Sequence, residues 1–100
     1  MPRQIIFNAE ARLEFEDAII WSDEQQPGLG DRFESHVHTT LQSILKDPER
    51  FKLISRTTRQ ARVEVFDKYI VYFRVEPNFI GIVSVFHGVR NPDELKRRLR

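Results

Sequence analysis

Arg62-Val-Glu-Val-Phe66, a break at Asp67-Lys68, then Tyr69-Ile-Val-Tyr-Phe-Arg-Val-Glu76, a second break at Pro77-Asn78, and finally Phe79-Ile-Gly-Ile-Val-Ser-Val-Phe-His-Gly-Val-Arg90: the reading of this stretch decides the fold. Three runs rich in β-branched and aromatic residues, separated by tight-turn residues, predict an antiparallel meander. Successive side chains of a strand point to opposite faces. In the middle run Tyr69, Val71, Phe73 and Val75 therefore share one face, and Ile70, Tyr72, Arg74 and Glu76 the other. The first face is apolar apart from one phenol and calls for a cover of helices. The second carries a charged pair and is expected to meet solvent or a partner. The third run is apolar on both faces until His87, the pattern of a central strand.

Upstream of the meander, the chain supplies that cover. Gln4-Ile-Ile-Phe7 reads as a short edge strand. Asn8 can cap a helix whose face is Ala11, Phe15, Ala18, Ile19 and Ser22, with Glu10, Glu14, Glu16 and Asp17 placed early, where the helix dipole favours acids. Pro27-Gly28 and Gly30 end it. Asp31 suits the cap or first turn of a second helix, whose stripe is Phe33, Val37, Leu41, Ile44 and Leu45. Asp47-Pro48 stops that helix, because the residue before proline is pushed out of the α region. Two helices joined by so short a connection pack as an antiparallel hairpin. Phe51-Lys-Leu-Ile54 reads as a brief pairing or a loop, residues 55–60 as a polar approach to the meander, and Asn91-Pro-Asp-Glu94 as the start of a short last helix through Leu95 and Leu99. The expected fold is α+β: an N-terminal strand and a helical hairpin packed on a small antiparallel sheet, with a short C-terminal helix.

One hundred residues make one domain, 1–100, with one core. No apolar run approaches the ~20 residues of a membrane span, no signal peptide opens the chain, and no cysteine is present, so a soluble cytoplasmic protein without disulfides or thiolate zinc is expected. The net charge of +1 conceals a split. Through Leu45 three basic residues face eight acidic ones, a net of −5; from Lys46 onward thirteen face seven, a net of +6. An acidic helical half and a basic sheet half imply that the sheet meets something negative, nucleic acid or an acidic peptide. Ordinary surface charge is the plainer alternative.

The sequence carries no glycine-rich phosphate loop, no HExxH and no nucleophile elbow. His36 and His38, two apart on a helix, point to different faces and cannot share a metal. Trp21 suits burial of an edge of the hairpin. Arg59, Arg62, Arg74, His87 and Arg90 are the candidates for chemistry, because guanidinium forks bind phosphates or carboxylates bidentately and a histidine among them can act as acid or base. Strand pairing is expected to let Arg62 approach Arg74. A structural role competes: Arg74 pairing with Glu64 or Glu76 across strands, and His87 bonding backbone at a strand end.

Arg59-x-x-Arg62, Tyr69-Ile-Val-Tyr-Phe-Arg74-Val and Ile82-Val-Ser-Val-Phe-His87-Gly-Val-Arg90, in this layout, resemble the RelE/ParE toxin superfamily over nearly the whole chain. The resemblance implies a bacterial toxin of a type II toxin–antitoxin (plasmid stabilisation) system, held inactive by a cognate ParD-like antitoxin, without a cofactor and with operator DNA touched only through that antitoxin. RelE-like members cut mRNA in the ribosome, commonly with an acid or base near the C-terminus; ParE-like members inhibit DNA gyrase. Here no tyrosine or histidine follows His87, and the helical hairpin with its phenylalanine-rich faces is more similar to the ParE branch. Gyrase inhibition is the first expectation, with Arg59, Arg62, Arg74, His87, Arg90 and Trp21 contacting target or partner. Two alternatives remain: an mRNA endonuclease using His87, Arg62, Arg74, Arg90 and Glu64, and a degenerate member that only binds antitoxin.

Overall fold

A computed structural model describes residues 3–88 and Arg97. The chain begins with strand β1 (Gln4–Phe7), helix α1 (Ala9–Gln25) and helix α2 (Leu29–Lys46). A single 3-10 turn at Pro48–Arg50 leads to strands β2 (Thr58–Arg62), β3 (Tyr69–Val75) and β4 (Phe79–His87). The sheet order is β1-β4-β3-β2, which makes β4 central, as its two apolar faces imply. The three later strands are antiparallel; β1 runs parallel to β4, so the sheet is mixed rather than wholly antiparallel. The whole helical hairpin separates β1 from the meander, a connection long enough to allow a parallel neighbour.

Local chemistry sets the helix ends. Asn8 is extended and its side-chain oxygen accepts the Ala11 N–H at 2.8 Å, capping α1. Ala11, Phe15, Ala18 and Ser22 form the buried face of α1, and Phe33, Val37, Leu41 and Ile44 that of α2. Between the helices Gly28 takes φ +88°, a left-handed conformation that costs glycine nothing. One Asp23 carboxylate oxygen accepts the N–H groups of Gly28 (2.9 Å) and Gly30 (3.2 Å), closing the turn. At Gly30 a Cβ would lie 2.6 Å from the Ile19 carbonyl oxygen, so the two helices approach at a spot only glycine fits.

The hairpin covers the face bearing Tyr69, Val71 and Phe73. Phe33 sits at the centre, its ring 4.7 Å from Tyr69, 5.3 Å from Phe66 and 6.2 Å from Phe15. Phe73 is fully buried beneath Phe51, edge to face at 5.8 Å. Burial of side chains of this size contributes roughly 1.5–3 kcal/mol each, ahead of any surface contact in the molecule. On the opposite face Ile70, Tyr72 and Phe86 form a smaller apolar cluster with Ile54 and Val83.

One strand lies four residues earlier than the meander pattern predicts. β2 is Thr-Arg-Gln-Ala-Arg, and Val63 to Phe66, expected in a strand, form the connection to β3. The apolar residues there serve the core instead: Val63 is fully buried and Phe66 packs on Phe33 and His36. Val65 adopts φ 72°, an uncommon and strained conformation for a β-branched residue, at an exposed position. The segment 51–54 does pair with the sheet, through a bridge between Leu53 and Arg59. The last helix expected from Asn91 lies outside the described residues except at Arg97, which is helical and exposed. Among the described residues no helix is long and apolar enough to cross a membrane.

Candidate functional site

Strand register decides which candidate residues can meet. Arg62 pairs with Ile70 and Arg74 with Thr58, at opposite ends of the β2–β3 ladder. Arg62 thus does not approach Arg74 as expected: their ladder positions are four residues apart along the strand, about 13 Å. Both still emerge on the sheet face away from the helices, flanking Tyr72. The Arg62 guanidinium donates to the Asp67 carbonyl at 2.6 Å and so also ties the hairpin turn. Arg74 Nε lies 3.4 Å from the buried Thr58 hydroxyl, a weak bond that leaves its other donors for a partner. Neither Glu64 nor Glu76 forms an ion pair with Arg74; along α2, His38 Nε2 lies 3.8 Å from a Glu34 carboxylate oxygen.

Tyr72 occupies the middle of this face. Burial pushes its phenol above the ordinary tyrosine range, and the nearby Arg62 cation pulls the other way without cancelling the effect. A tyrosine so placed stays protonated at neutral pH and is not a base.

His87 lies elsewhere. It pairs with Tyr69, whose ring is in the core against Phe33, so the imidazole is on the helix side of the sheet. The two rings meet edge to face at 4.9 Å. His87 and the arginines Arg62 and Arg74 are thereby on opposite faces, so among the described residues the imidazole does not join those two guanidinium groups. Glu64 sits in the connection after β2, outside that face's ladder. Arg59 pairs with Phe73 and donates to the carbonyls of Phe51 (2.6 Å) and Glu49 (3.2 Å), pinning the segment after α2 to the sheet edge. Arg90 lies outside the described residues.

A second feature opens where β1 ends. β1 covers β4 only as far as Ile82, and beyond it α1 closes in on the strand edge. Glu14 takes the place of a neighbouring strand, one carboxylate oxygen accepting the Ser84 hydroxyl at 2.9 Å and the Val85 N–H at 3.1 Å. Beside it a cleft of about 480 Å³ runs between α1 and His87, with Asp17, Ile20, Trp21 and Glu24 on its helical wall. Trp21 is 42% and Ile20 58% exposed, so both remain partly open to solvent. Glu14 reads in the sequence as one of several early helix acids. Its spacing, three after Ala11 and four before Ala18, was the available signal, because it sets a carboxylate on the buried stripe. Among the described residues no three side chains of metal-binding type converge.

Comparison with known proteins fits this architecture. The family model for the ParE toxin of the type II toxin–antitoxin system parDE matches residues 5–92. The chain belongs to the ParE toxin family. Toxin RelE1 of Caulobacter vibrioides is 21% identical over 86 residues, 85% of this chain and 92% of that protein. A chain of a solved structure described as the chromosomal ParDE TA system from P. aeruginosa superposes with a TM-score of 0.74 at 10% identity, over 86% of this chain and 96% of that one, which shows the shared fold. As a ParE-family toxin the chain has an antitoxin partner implied by its system, and the resemblance carried by the strand ending in His87 and Gly88 holds at the level of the family.

Proposed function

We propose that this ParE-family chain acts by binding, with DNA gyrase as its target, and that a cognate ParD-like antitoxin with an acidic segment neutralises it. The observation that carries this reading is the division of the sheet: Arg62 and Arg74 on the open face, His87 on the helix face. Cleavage of RNA at a 2′-hydroxyl needs a proton acceptor and a donor held together around the phosphate. On the open face the two guanidinium groups flank a phenol that burial keeps protonated, a surface suited to gripping carboxylates or phosphates. The same arginines suit the acidic segment of an antitoxin, which would occlude them.

Induced expression without antitoxin tests the reading. It predicts growth arrest with DNA damage and filamentation while protein synthesis continues. Immediate loss of translation with cleaved mRNA would overturn it in favour of the endonuclease, and unimpaired growth would favour a chain that only binds antitoxin.

A further inference from the structure

Val65 is the one non-glycine residue with positive φ among the described residues, and it is 63% exposed. A β-branched side chain is poorly suited to that conformation, which asparagine takes far more readily and glycine without strain. The neighbours explain why the backbone turns there. Val63 is fully buried, and its N–H donates to the Tyr69 carbonyl at 3.0 Å. Phe66 packs on Phe33 and His36, and its carbonyl accepts the Tyr69 N–H at 2.9 Å. With both residues anchored, the chain must bend sharply between them. Nothing in the fold explains the valine. An isopropyl group held out in solvent adds little to the core, so the protein bears the strain without a matching gain. Strain of this kind gathers where a side chain serves a contact outside the fold.

The same anchors make the tip rigid. Arg62 donates to the Asp67 carbonyl at 2.6 Å across the base of the turn, and the Lys68 carbonyl accepts the Gly88 N–H at 2.8 Å. A rigid apolar tip loses little conformational freedom when a partner buries it. The surrounding charges select the kind of partner. Arg62, Glu64, Asp67 and Lys68 are all exposed and their charges cancel, so the tip has no net pull on a polyanion such as nucleic acid. Nor does an isopropyl group offer a hydrogen bond to a phosphate or a base. We propose that Val65 is a contact residue for the protein on which the toxin acts. It seats in an apolar recess of that protein, while Arg62, three residues earlier, reaches a carboxylate beside the recess. The inference rests on the reading that the chain acts by binding a protein, and it supplies the apolar contact that the arginines lack.

Two substitutions in the intact chain test this. Val65→Asn relieves the strain and removes the apolar tip; Val65→Ile keeps both. Purified Val65→Asn should melt about 4 °C above the native protein. Expressed without antitoxin, it should need at least about tenfold more protein than the native chain to arrest growth, with protein measured by immunoblot. Val65→Ile should arrest growth at the native level. Stability gained together with toxicity lost is the signature of a contact residue, and a residue serving the fold would lose both. Val65→Asn that melts at or below the native temperature, or Val65→Ile as inactive as Val65→Asn, would overturn the proposal. Native arrest with intact mRNA and an unimpaired Val65→Asn would overturn it while leaving the proposed function in place. A native chain that does not arrest growth, or that arrests it by cutting mRNA, would overturn the two together.

Discussion

Among the arginines, what each guanidinium touches separates those that hold the fold from those left for a partner. Arg59 donates to two backbone carbonyls of the segment after α2. Arg59→Ala should therefore destabilise the protein by about 1.5–3 kcal/mol, the range for hydrogen bonds from a charged donor. Arg74 makes one long contact, and Arg74→Ala should change stability by about half a kcal/mol or less while weakening toxicity. Phe73→Ala, on the core face one residue away, should cost roughly 3–5 kcal/mol. Urea denaturation of the three variants measures these differences; an Arg74→Ala loss as large as that of Phe73→Ala would make Arg74 structural. Tyr72 gives a pH-dependent counterpart. Its folded-state pKa is raised, so its stabilising contribution is complete below the unfolded value of about 10 and is lost as pH rises through the folded value. Thermal melts between pH 9 and 11 should fall more steeply for the native protein than for Tyr72→Phe.

The two helices of the hairpin were legible in the sequence to within about a turn at their ends, and the strands less so. A side-chain cap at Asn8, a 3.6-residue apolar repeat and a proline stop are local signals, and local signals fix helix ends. Strand boundaries depend on a partner. Thr58 to Arg62 looks like loop because four of its five residues are polar, yet its backbone bonds on both flanks, to β3 and to residues 52–54. Val63 to Phe66 looks like strand because it is apolar, but Val63 and Phe66 turn into the core, Phe66 beside Phe33. Misplacing β2 by four residues also misplaced Arg62 relative to Arg74. The site was consequently legible as a list of residue types but not as an arrangement: sequence alternation puts Arg74 on the open face, while the face of His87 follows only from its pairing with Tyr69. The parallel direction of β1 leaves no mark on its four residues. At this scale the helix crossing offers a sharp test. Gly30→Ala places a methyl group 2.6 Å from the Ile19 carbonyl, too close to persist without moving α1 against α2. It should destabilise by about 1–3 kcal/mol although alanine is the better helix former, with the loss read by chemical denaturation.

Across the described residues, the arginines of the sheet and the exposed apolar residues of α1 lie apart. The net −5 of the N-terminal half and +6 of the C-terminal half suggest one basic face for one acidic partner. The structure divides this more finely, with arginines on the open sheet face and the exposed Leu13, Ile20 and Trp21 on an acidic helix wall. An acidic antitoxin segment is therefore expected on the open face. Its affinity should weaken as salt is raised from 0.05 to 0.5 M by about tenfold or more, and weaken again with Arg74→Ala, as titration calorimetry would show. Affinity insensitive to both would place the antitoxin elsewhere. The central claim, that the divided sheet binds its target and does not cut RNA, is tested most directly with purified protein in two parallel assays. These are supercoiling by DNA gyrase and cleavage of mRNA on translating ribosomes. The division of His87 from Arg62 and Arg74 predicts loss of supercoiling at stoichiometric toxin with the mRNA intact. Cleaved mRNA with supercoiling untouched would contradict it.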